Sequence, residues 1–194
     1  MKVAIIKYNA GNAASVVNAL ERLGVEPFVT DDPQLIAHAD RVIFPGVGEA
    51  SSAMKYLRER KLDELVRSLT QPVLGICLGM QLLCAYSEEN DTHCLGIFPA
   101  KVKRFAVDGL KVPHMGWNTI SALSSPMFRG AAEDSYVYFV HSYYLEPMRE
   151  ATATSRYGVD FAAAISRSNF HGVQFHPEKS GAVGERMLAN FLNI

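Results

Sequence analysis

The stretch that most constrains the fold is residues 71–83, QPVLGICLGMQLL. The apolar run that opens it is typical of a short buried strand, and the apolar residues from Met80 onward begin a helical stripe. Gly75 and Gly79 lie two residues on either side of Cys77, where they permit a sharp backbone turn and keep the approach to the sulfur open. The sequence therefore predicts a strand-to-helix turn with Cys77 at the bend, which is the pattern of a nucleophile elbow.

This position also has a chemical consequence for the thiol of Cys77. The free amides at the N-terminus of a helix favour the thiolate, which is the reactive form of cysteine. The alternative is an ordinary buried cysteine, the commonest situation for this residue type, and we assign Cys84, seven residues further along the same predicted helix, to the core in that way. The glycines and the strand-turn-helix context lead us to interpret Cys77 as a nucleophile.

Composition limits the classes of protein that the chain can represent. The chain has 194 residues, 48% of them hydrophobic and 20% charged, as in an ordinary globular enzyme. A net charge of −1 gives no reason to propose nucleic acid or a membrane as a partner. The three cysteines suggest no disulfide framework, and the sequence contains neither a signal peptide nor a membrane span. We expect a cytoplasmic protein with one domain over residues 1–194, because no linker or repeat interrupts the chain.

The order of predicted elements indicates an α/β fold. Strands and helices alternate in the first half, which is typical of a mostly parallel sheet with helices on both faces. The second half has the short alternating segments of added antiparallel strands, and it ends in a strand and a helix. The predicted strands are 3–6, 26–29, 41–44 and the run before Cys77, then 95–105, 110–122, 136–141, 151–155, 161–167 and 172–175; the predicted helices begin after a loop at 7–12 and cover 13–22, 50–69, the segment after Cys77 and 180–192.

A thiolate nucleophile needs a base, and the base needs an orienting group. His176 and Glu178 follow the last predicted strand, and residues two apart in an extended segment point the same way. Glu178 can then hold one ring nitrogen of His176 while the other faces Cys77. The alternative is a strand-end histidine beside a surface glutamate, but together with the elbow the three residues form a complete set for acyl transfer.

Acyl transfer also requires donors for the oxyanion of the tetrahedral intermediate. The amide of Leu78, the residue after the nucleophile, is placed for this by the elbow. A second amide can come from Val47, because Gly46 and Gly48 on either side permit exposed amides and a peptide flip. The alternative for this segment is a plain Gly/Pro turn.

The remaining polar motifs indicate no cofactor. We assign His38, His93 and His171 to surface or packing positions, while His114 and His141 lie in aromatic-rich segments. No cluster has metal-ligand spacing, so we predict no metal. The Gly-rich segments match neither of the common nucleotide-binding motifs.

The chain resembles the class I (triad) glutamine amidotransferases, and within them the glutaminase subunits of imidazole glycerol phosphate synthase, over essentially its whole length. The elbow and the H-P-E sequence are shared by the class. The P-G-V-G sequence at 45–48 and the H-M-G-W-N sequence at 114–118 are similar to those of this subunit, and we expect no fused synthase domain.

The resemblance implies a flavodoxin-like fold of this class and a glutaminase reaction. Cys77 would attack the side-chain amide of glutamine, His176 would shuttle the proton and Glu178 would orient it, giving glutamate and ammonia through a glutamyl thioester. Ammonia would pass to a separate (β/α)8-barrel cyclase subunit, which makes imidazole glycerol phosphate and an aminoimidazole carboxamide ribotide. Residues matching the substrate site are Gly46, Gly48, Gln81, Glu89, Ser142 and Tyr143, and those matching the subunit interface are Tyr138 and Lys179.

Two differences and two alternatives remain. Lys7 and Asn9 stand where many relatives have an acidic residue and a glycine, which affects the partner-facing loop and not the chemistry. Another Cys-His-Glu enzyme of the same fold, such as the amidotransferase of a different synthase or a γ-glutamyl hydrolase, is the first alternative. A flavodoxin-like binding subunit with a structural or redox-active cysteine is the second. We further expect the isolated subunit to be nearly inactive, with an amide of the 45–48 loop turned away from the oxyanion.

Overall fold

A computed structural model describes residues 1–9, 13–106 and 108–194. The described strands are β1 (Val3–Ile6), β2 (Phe28–Thr30), β3 (Arg41–Phe44), β4 (Val73–Ile76), β5 (Cys84–Ser87), β6 (Thr92–His93), β7 (Phe98–Arg104), β8 (His114–Ile120), β9 (Ser135–His141), β10 (Tyr143–Leu145), β11 (Ala151–Tyr157), β12 (Val159–Arg167) and β13 (Phe170–Val173). The described helices are α1 (Ala13–Arg22), α2 (Pro33–Ala37), α3 (Ala50–Glu59), α4 (Leu62–Ser68), α5 (Leu78–Leu82) and α6 (Gly181–Leu192), with 3-10 turns at Pro126–Phe128 and Pro177–Lys179. None of these helices is both long and apolar enough to cross a membrane.

A seven-stranded sheet in the order β11-β12-β13-β4-β3-β1-β2 forms the centre of the molecule. The five strands from β13 to β2 are parallel, and β12 and β11 are added antiparallel at one edge. All four residues of β1 and of β4 are buried, as expected of parallel strands covered on both faces. The predicted mostly parallel α/β sheet with added antiparallel strands is confirmed.

Alternate residues of β1 divide the core between the two faces of this sheet. Ala4 and Ile6 pack in a cluster with residues of α3, α4 and α5, including Met54. Val3 and Ile5 pack on the other face in a cluster with residues of α1, α6 and the β8–β9 pair. Because side chains alternate along a strand, one short apolar run supplies both clusters.

Two smaller sheets lie beside the centre. One has the order β10-β7-β5-β6 and the other is the antiparallel pair β8-β9, whose register runs from His114↔His141 to Ile120↔Ser135. Their sequences were predicted as strands only for β7, β8 and β9. β5, β6 and β10 were missed, because strands of two to four residues are too short to carry a periodic signal.

The helix predicted over 50–69 is two helices. α3 ends at Glu59 and α4 begins at Leu62, and between them Lys61 adopts the left-handed conformation with φ 55°. The change of direction lets Leu57 and Leu62 pack in the same core cluster. α2, at Pro33–Ala37, was not predicted.

Several other predicted boundaries differ; β7 and β8, for example, begin at Phe98 and His114 instead of residues 95 and 110. α5 ends at Leu82, so Cys84 is on strand β5 instead of the helix, although it is buried as expected. The second strand begins at Phe28 instead of residue 26. The last strand is Phe170–Val173 instead of residues 172–175. Beyond it the Gln174 amide still donates to the carbonyl of Ala163 on β12, but the His176 amide donates to the carbonyl of Tyr138 on β9. Of the predicted loop at 7–12, residues 10–12 lie outside the described residues.

The glycines of the elbow are required by close packing. A Cβ on Gly79 would lie 1.8 Å from the carbonyl oxygen of Phe44, and one on Gly75 would lie 2.7 Å from the amide nitrogen of Met80. Neither glycine has a positive φ, so conformational freedom is not the reason for either. α5 therefore sits directly against the backbone of β3, which fixes the position of the turn before it.

We expect Gly79→Ala to destabilise the protein by at least about 3 kcal/mol, because the methyl group meets a backbone carbonyl that cannot move aside. Gly172→Ala is a matched control: its Cβ would meet the side chain of Met80 at 2.7 Å, and a flexible thioether can adapt. We expect about 1–2 kcal/mol there. Urea unfolding of both variants measures the difference, and equal losses would contradict the close-packing explanation.

Candidate active site

Cys77 is held in a strained backbone conformation between β4 and α5. Its φ is 51° and its ψ −108°, a region that non-glycine residues adopt rarely. Its amide donates to the carbonyl of Val173 on β13 at 2.8 Å. Strain of this kind costs about 1–3 kcal/mol, and it persists where the surroundings determine the conformation, often at a reactive site. The predicted turn at Cys77 thus has the geometry of a nucleophile elbow.

His176 and Glu178 lie together at the end of β13. His176 Nδ1 and Glu178 Oε1 are 2.7 Å apart, and the two side chains are only 2% and 3% exposed. Since the carboxylate accepts, Nδ1 carries the hydrogen. The His176 amide donates to the carbonyl of Tyr138 on β9 at 2.9 Å. The imidazole is therefore fixed by its ring and its backbone, and Nε2 is the nitrogen left for Cys77.

The protonation of His176 depends on its interactions with Cys77 and Glu178. Burial alone would lower the pKa of His176, but its interactions with Cys77 and Glu178 outweigh burial and raise the pKa to about 10. Among the described residues, Nε2 has no hydrogen-bond partner at normal distance, while Cys77 Sγ lies 3.8 Å from the carbonyl oxygen of Val140. The charged form of the His176 ring is thus favoured by hydrogen bonding and by charge interactions with Cys77 and Glu178 together.

The loop at residues 45–48, here called the oxyanion loop, lies against the elbow in a closed arrangement. The Leu78 amide donates to the carbonyl of Gly46 at 3.3 Å. In a trans peptide the C=O and N–H groups point in opposite directions, so the N–H of Val47 points away from Leu78. Tyr8 donates its hydroxyl hydrogen to the carbonyl of Pro45 at 2.5 Å, and a Cβ on Gly46 would lie 2.4 Å from the same hydroxyl. Both predicted oxyanion donors are present, but neither is free in this arrangement.

A cleft of about 270 Å³ opens at Cys77. It is lined by Val47, Gly48, Cys77, Leu78, Gln81, Glu89, Pro113, Val140, His141, Ser142 and Tyr143. Eight of these were predicted as site residues, and Pro113, Val140 and His141 were not. Gly46, His176 and Glu178 are not in the lining, since they lie behind the loop and behind the sulfur. The two predicted interface residues are also outside it: Tyr138 is half-buried and Lys179 is exposed.

Glu89 and Gln81 supply polar groups to this cleft. Glu89 Oε2 accepts from the Ala50 amide at 2.8 Å, the first amide of α3, and burial raises the pKa of its carboxyl group. The side-chain amide nitrogen of Gln81 donates to the carbonyl of Tyr143 and to Oε1 of Gln174, both at 3.0 Å. The amide group of Gln81 is thereby oriented, with its oxygen as the group left to bind a ligand.

A buried histidine pair next to the cleft was not assigned a function from the sequence. His141 Nδ1 lies 2.8 Å from the carbonyl of Tyr143, so it carries a hydrogen and Nε2 accepts. His114 Nδ1 lies 3.0 Å from that Nε2 and is therefore the donor, and Asn118 Nδ2 lies 3.4 Å from His114 Nε2. Burial lowers the pKa of His114 to about 4 and that of His141 to about 3. Both rings are neutral, with tautomers set by the chain of hydrogen bonds.

The other histidines and cysteines are placed in structural positions. His38 and His93 are exposed, and His171 is buried with its ring 2.7 Å from the Ser166 hydroxyl. Burial raises the pKa of Cys84, and that of Cys94 to about 12, so both remain thiols. Within residues 1–9, 13–106 and 108–194, no group of histidine, cysteine or acidic side chains is arranged to hold a metal ion.

Comparison with known proteins identifies the class. The family model of glutamine amidotransferase class-I matches residues 4–194. The chain therefore belongs to the class I glutamine amidotransferase family. A solved structure described as a glutamine amidotransferase has a TM-score of 0.77 at 22% identity, covering 98% of this chain and 97% of its own; one from Thermotoga maritima has a TM-score of 0.65 at 20% identity, covering 100% and 83%. At these identities the two structures support the fold alone.

Closer relatives are similar over their whole length. The "imidazole glycerol phosphate synthase subunit HisH" of Bacteroides fragilis is 56% identical, with 100% of both chains covered. The protein with the same description from Yersinia pestis is 47% identical, also over 100% of both chains. The one from Haemophilus influenzae is 46% identical, covering 99% of this chain and 97% of its own.

The histidine charges give a direct test of this site. We expect imidazole NMR signals to show His176 protonated at pH 8, and His114 and His141 neutral at pH 5. Glu178→Gln removes one of the two groups that raise the pKa of His176, so we expect its titration to move down toward the ordinary value of about 6.5. Titration of His176 near that value in the unmodified protein would contradict the charge assignment.

The pKa shifts of these three histidines also predict how the stability of the folded protein changes with pH. The folded-state pKa of His176 lies above that of an unfolded histidine, so its contribution to stability is complete below about pH 6.5 and is lost as pH rises toward 10. His114 and His141 act in the opposite sense: their contribution is complete above about pH 6.5 and is lost as pH falls toward 4 and 3.

Proposed function

We propose that this chain is the glutaminase subunit of an imidazole glycerol phosphate synthase. It hydrolyses glutamine to glutamate and ammonia, and it delivers the ammonia to a (β/α)8-barrel cyclase subunit that makes imidazole glycerol phosphate and an aminoimidazole carboxamide ribotide in histidine biosynthesis. We retain the cytoplasmic location and the single domain as predictions from the sequence.

The observation that carries this proposal is the strained elbow at Cys77, which opens into the cleft with the His176–Glu178 pair behind it. A buried imidazolium stabilises a thiolate, and a thiolate in a small polar cleft is suited to attack an amide carbonyl. The relatives described as synthase subunits, at 46–56% identity over essentially the whole chain, support this synthase over another amidotransferase or a γ-glutamyl hydrolase.

The geometry suits a two-step acyl transfer. The thiol proton of Cys77 resides on Nε2 of His176, and the thiolate attacks the carbonyl carbon of the glutamine side chain. As the tetrahedral intermediate breaks down, the imidazolium gives its proton to the leaving nitrogen and ammonia departs, which leaves a thioester. Water then attacks the thioester while His176 takes a proton, so that glutamate and the thiolate are released. Glu178 keeps the ring oriented throughout.

The substrate residues fit the charges of free glutamine. We assign the carboxylate of Glu89 and the side-chain oxygen of Gln81 to the α-ammonium group, since both are acceptors held in place by other contacts. Ser142 and Tyr143 line the same cleft and hold the rest of the amino-acid part. Gly46 and Gly48 let the substrate approach the loop without a side chain in the way.

The closed oxyanion loop provides a reason for partner control. The Gly46 carbonyl occupies the Leu78 amide, and the Val47 amide faces away. A flip of the Gly46–Val47 peptide would free the first donor and turn the second toward the intermediate in one movement. Gly48, with φ 117°, is a residue able to absorb the change. We propose that docking of the cyclase subunit favours the flipped form.

An exposed apolar surface supports a docking site close to the catalytic groups. Met115, Trp117 and Tyr136 on β8 and β9 are 63%, 56% and 61% exposed. Trp117 pairs with Tyr138 across the two strands, with ring centroids 6.0 Å apart. Clustered large aromatic side chains are typical of interface hot spots. We propose that the cyclase subunit covers this surface, with Tyr138 and the nearby Lys179 among its contacts.

Glutamate release, with and without the cyclase subunit and its ribonucleotide ligand, tests the function. We expect the isolated chain to be at least about 100-fold slower than the liganded complex, because one missing oxyanion donor costs 10²–10³ in rate. Cys77→Ala should abolish release in both states. Equal turnover by the chain alone would refute the partner control, and activity that survives Cys77→Ala would refute the thioester.

Trp117→Ala tests the docking surface. We expect it to raise the Kd for the cyclase subunit at least about tenfold, because a central aromatic anchor is lost. Leu35→Ala is a matched control, since Leu35 is 51% exposed but lies on α2. Isothermal calorimetry of the two variants measures the effect. Equal Kd values for the two variants would show that the cyclase subunit does not bind the exposed surface of β8 and β9.

A further inference from the structure

Gln174 is a fully buried side chain that touches the reactive sulfur. Its Nε2 lies 3.7 Å from Cys77 Sγ, and its side chain is 0% exposed. It precedes His176 by two residues at the end of β13, so both side chains reach the sulfur from the same segment. Gln174 is not part of the cleft lining and so does not contact a ligand there.

The orientation of the Gln174 amide is determined by its neighbours. The carbonyl of Tyr143 only accepts, so the group of Gln81 that lies 3.0 Å from it must be the NH₂ group. The same NH₂ group lies 3.0 Å from Gln174, which must therefore present its oxygen. Its NH₂ group is then the one that faces Cys77. The chain Tyr143–Gln81–Gln174–Cys77 leaves the sulfur as an acceptor.

A hydrogen bond donated to sulfur favours the thiolate over the thiol. Hydrogen bonds to an ionised group are shorter and roughly twice as strong as neutral ones, and they strengthen further in a buried environment. The imidazolium of His176 is the only charged group credited so far with stabilising the sulfur anion. The side-chain amide of Gln174 is a fixed neutral donor, so it continues to stabilise the sulfur anion after His176 has given its proton to the leaving nitrogen.

We propose that Gln174 is a further catalytic residue, which stabilises the Cys77 thiolate by an N–H···S hydrogen bond and is itself held by Gln81. The inference rests on the proposed glutaminase function. It also gives Gln81 a second task, because the substrate residue that faces the ammonium group orients the amide that faces the nucleophile.

The test measures thiolate directly, without glutamine or the cyclase subunit. The full chain is treated with iodoacetamide, a neutral reagent, and modification of Cys77 is followed by mass spectrometry from pH 4 to 10; Cys84 and Cys94 are buried internal references. We expect Gln174→Met to move the midpoint of the pH–rate profile up by about one pH unit, and to leave the rate of the fully ionised Cys77 unchanged. Gln71→Met is the matched control, because the Gln71 amide bonds the carbonyl of Ile36, away from the site.

A second variant separates the chemistry from packing. Gln174→Glu keeps an oxygen for Gln81 but places a carboxylate beside the sulfur. We expect it to react more slowly at pH 8 than Gln174→Met, whereas a residue that only supports Gln81 would tolerate Glu better than Met. If circular dichroism shows that Gln174→Met does not fold, the test is the alkylation rate of Gln174→Glu compared with that of the unmodified chain.

Kinetics in the complex keep this inference separate from the proposed function. We expect kcat to fall about tenfold in Gln174→Met and KM for glutamine to stay within about twofold, because Gln81 keeps its hydrogen bond to the carbonyl of Tyr143. An alkylation profile whose midpoint is the same in Gln174→Met and in the unmodified chain would overturn the role of Gln174 while the glutaminase function stood. Absence of glutamine hydrolysis by the unmodified complex would instead overturn the function.

Discussion

The hydrogen bond from the Cys77 amide to the Val173 carbonyl joins the two strands on which the site depends. It holds the strained turn at the end of β4, and it fixes the end of β13, from which His176 follows three residues later. On the other side of β4, Gly79 brings α5 into contact with the backbone of β3 at Phe44, directly before the oxyanion loop. The proposed nucleophile, the proposed base and the oxyanion loop are therefore positioned by three adjacent parallel strands and by backbone contacts.

The parts of this arrangement that are encoded locally could be predicted from the sequence. Strands at 3–6 and 41–44 contain short apolar runs next to polar residues, with Pro45 and Gly46 after the second, and the proposed roles of Cys77 and His176 are indicated by short motifs. The break at Lys61 could not be predicted, because the apolar stripe continues across it and only the packing of both helices on one core requires the turn. The reason for Gly79 was also hidden, since a close approach to another strand leaves no mark in its own segment.

The polar core illustrates the same limit. His114, His141 and Gln174 are separated by up to 60 residues, and no periodicity relates them to Gln81. In the structure they form a continuous chain of hydrogen bonds that begins at Asn118 and ends at Cys77. A buried polar network is favourable only when its members are satisfied, and here the backbone carbonyl of Tyr143 sets the direction of every donor. Such dependence on one acceptor appears only when the strands are assembled.

Strand β9 connects the two faces of the proposed enzyme. Its side chains at Tyr136 and Tyr138 face the proposed partner, while its backbone faces the catalytic groups. The carbonyl of Tyr138 accepts the His176 amide, and the carbonyl of Val140 lies 3.8 Å from the sulfur of Cys77. A partner that shifts β9 therefore moves the carbonyl that holds the His176 amide and the carbonyl closest to the Cys77 sulfur together. Coupling of this kind needs no long pathway, because one strand separates the docking surface from the chemistry.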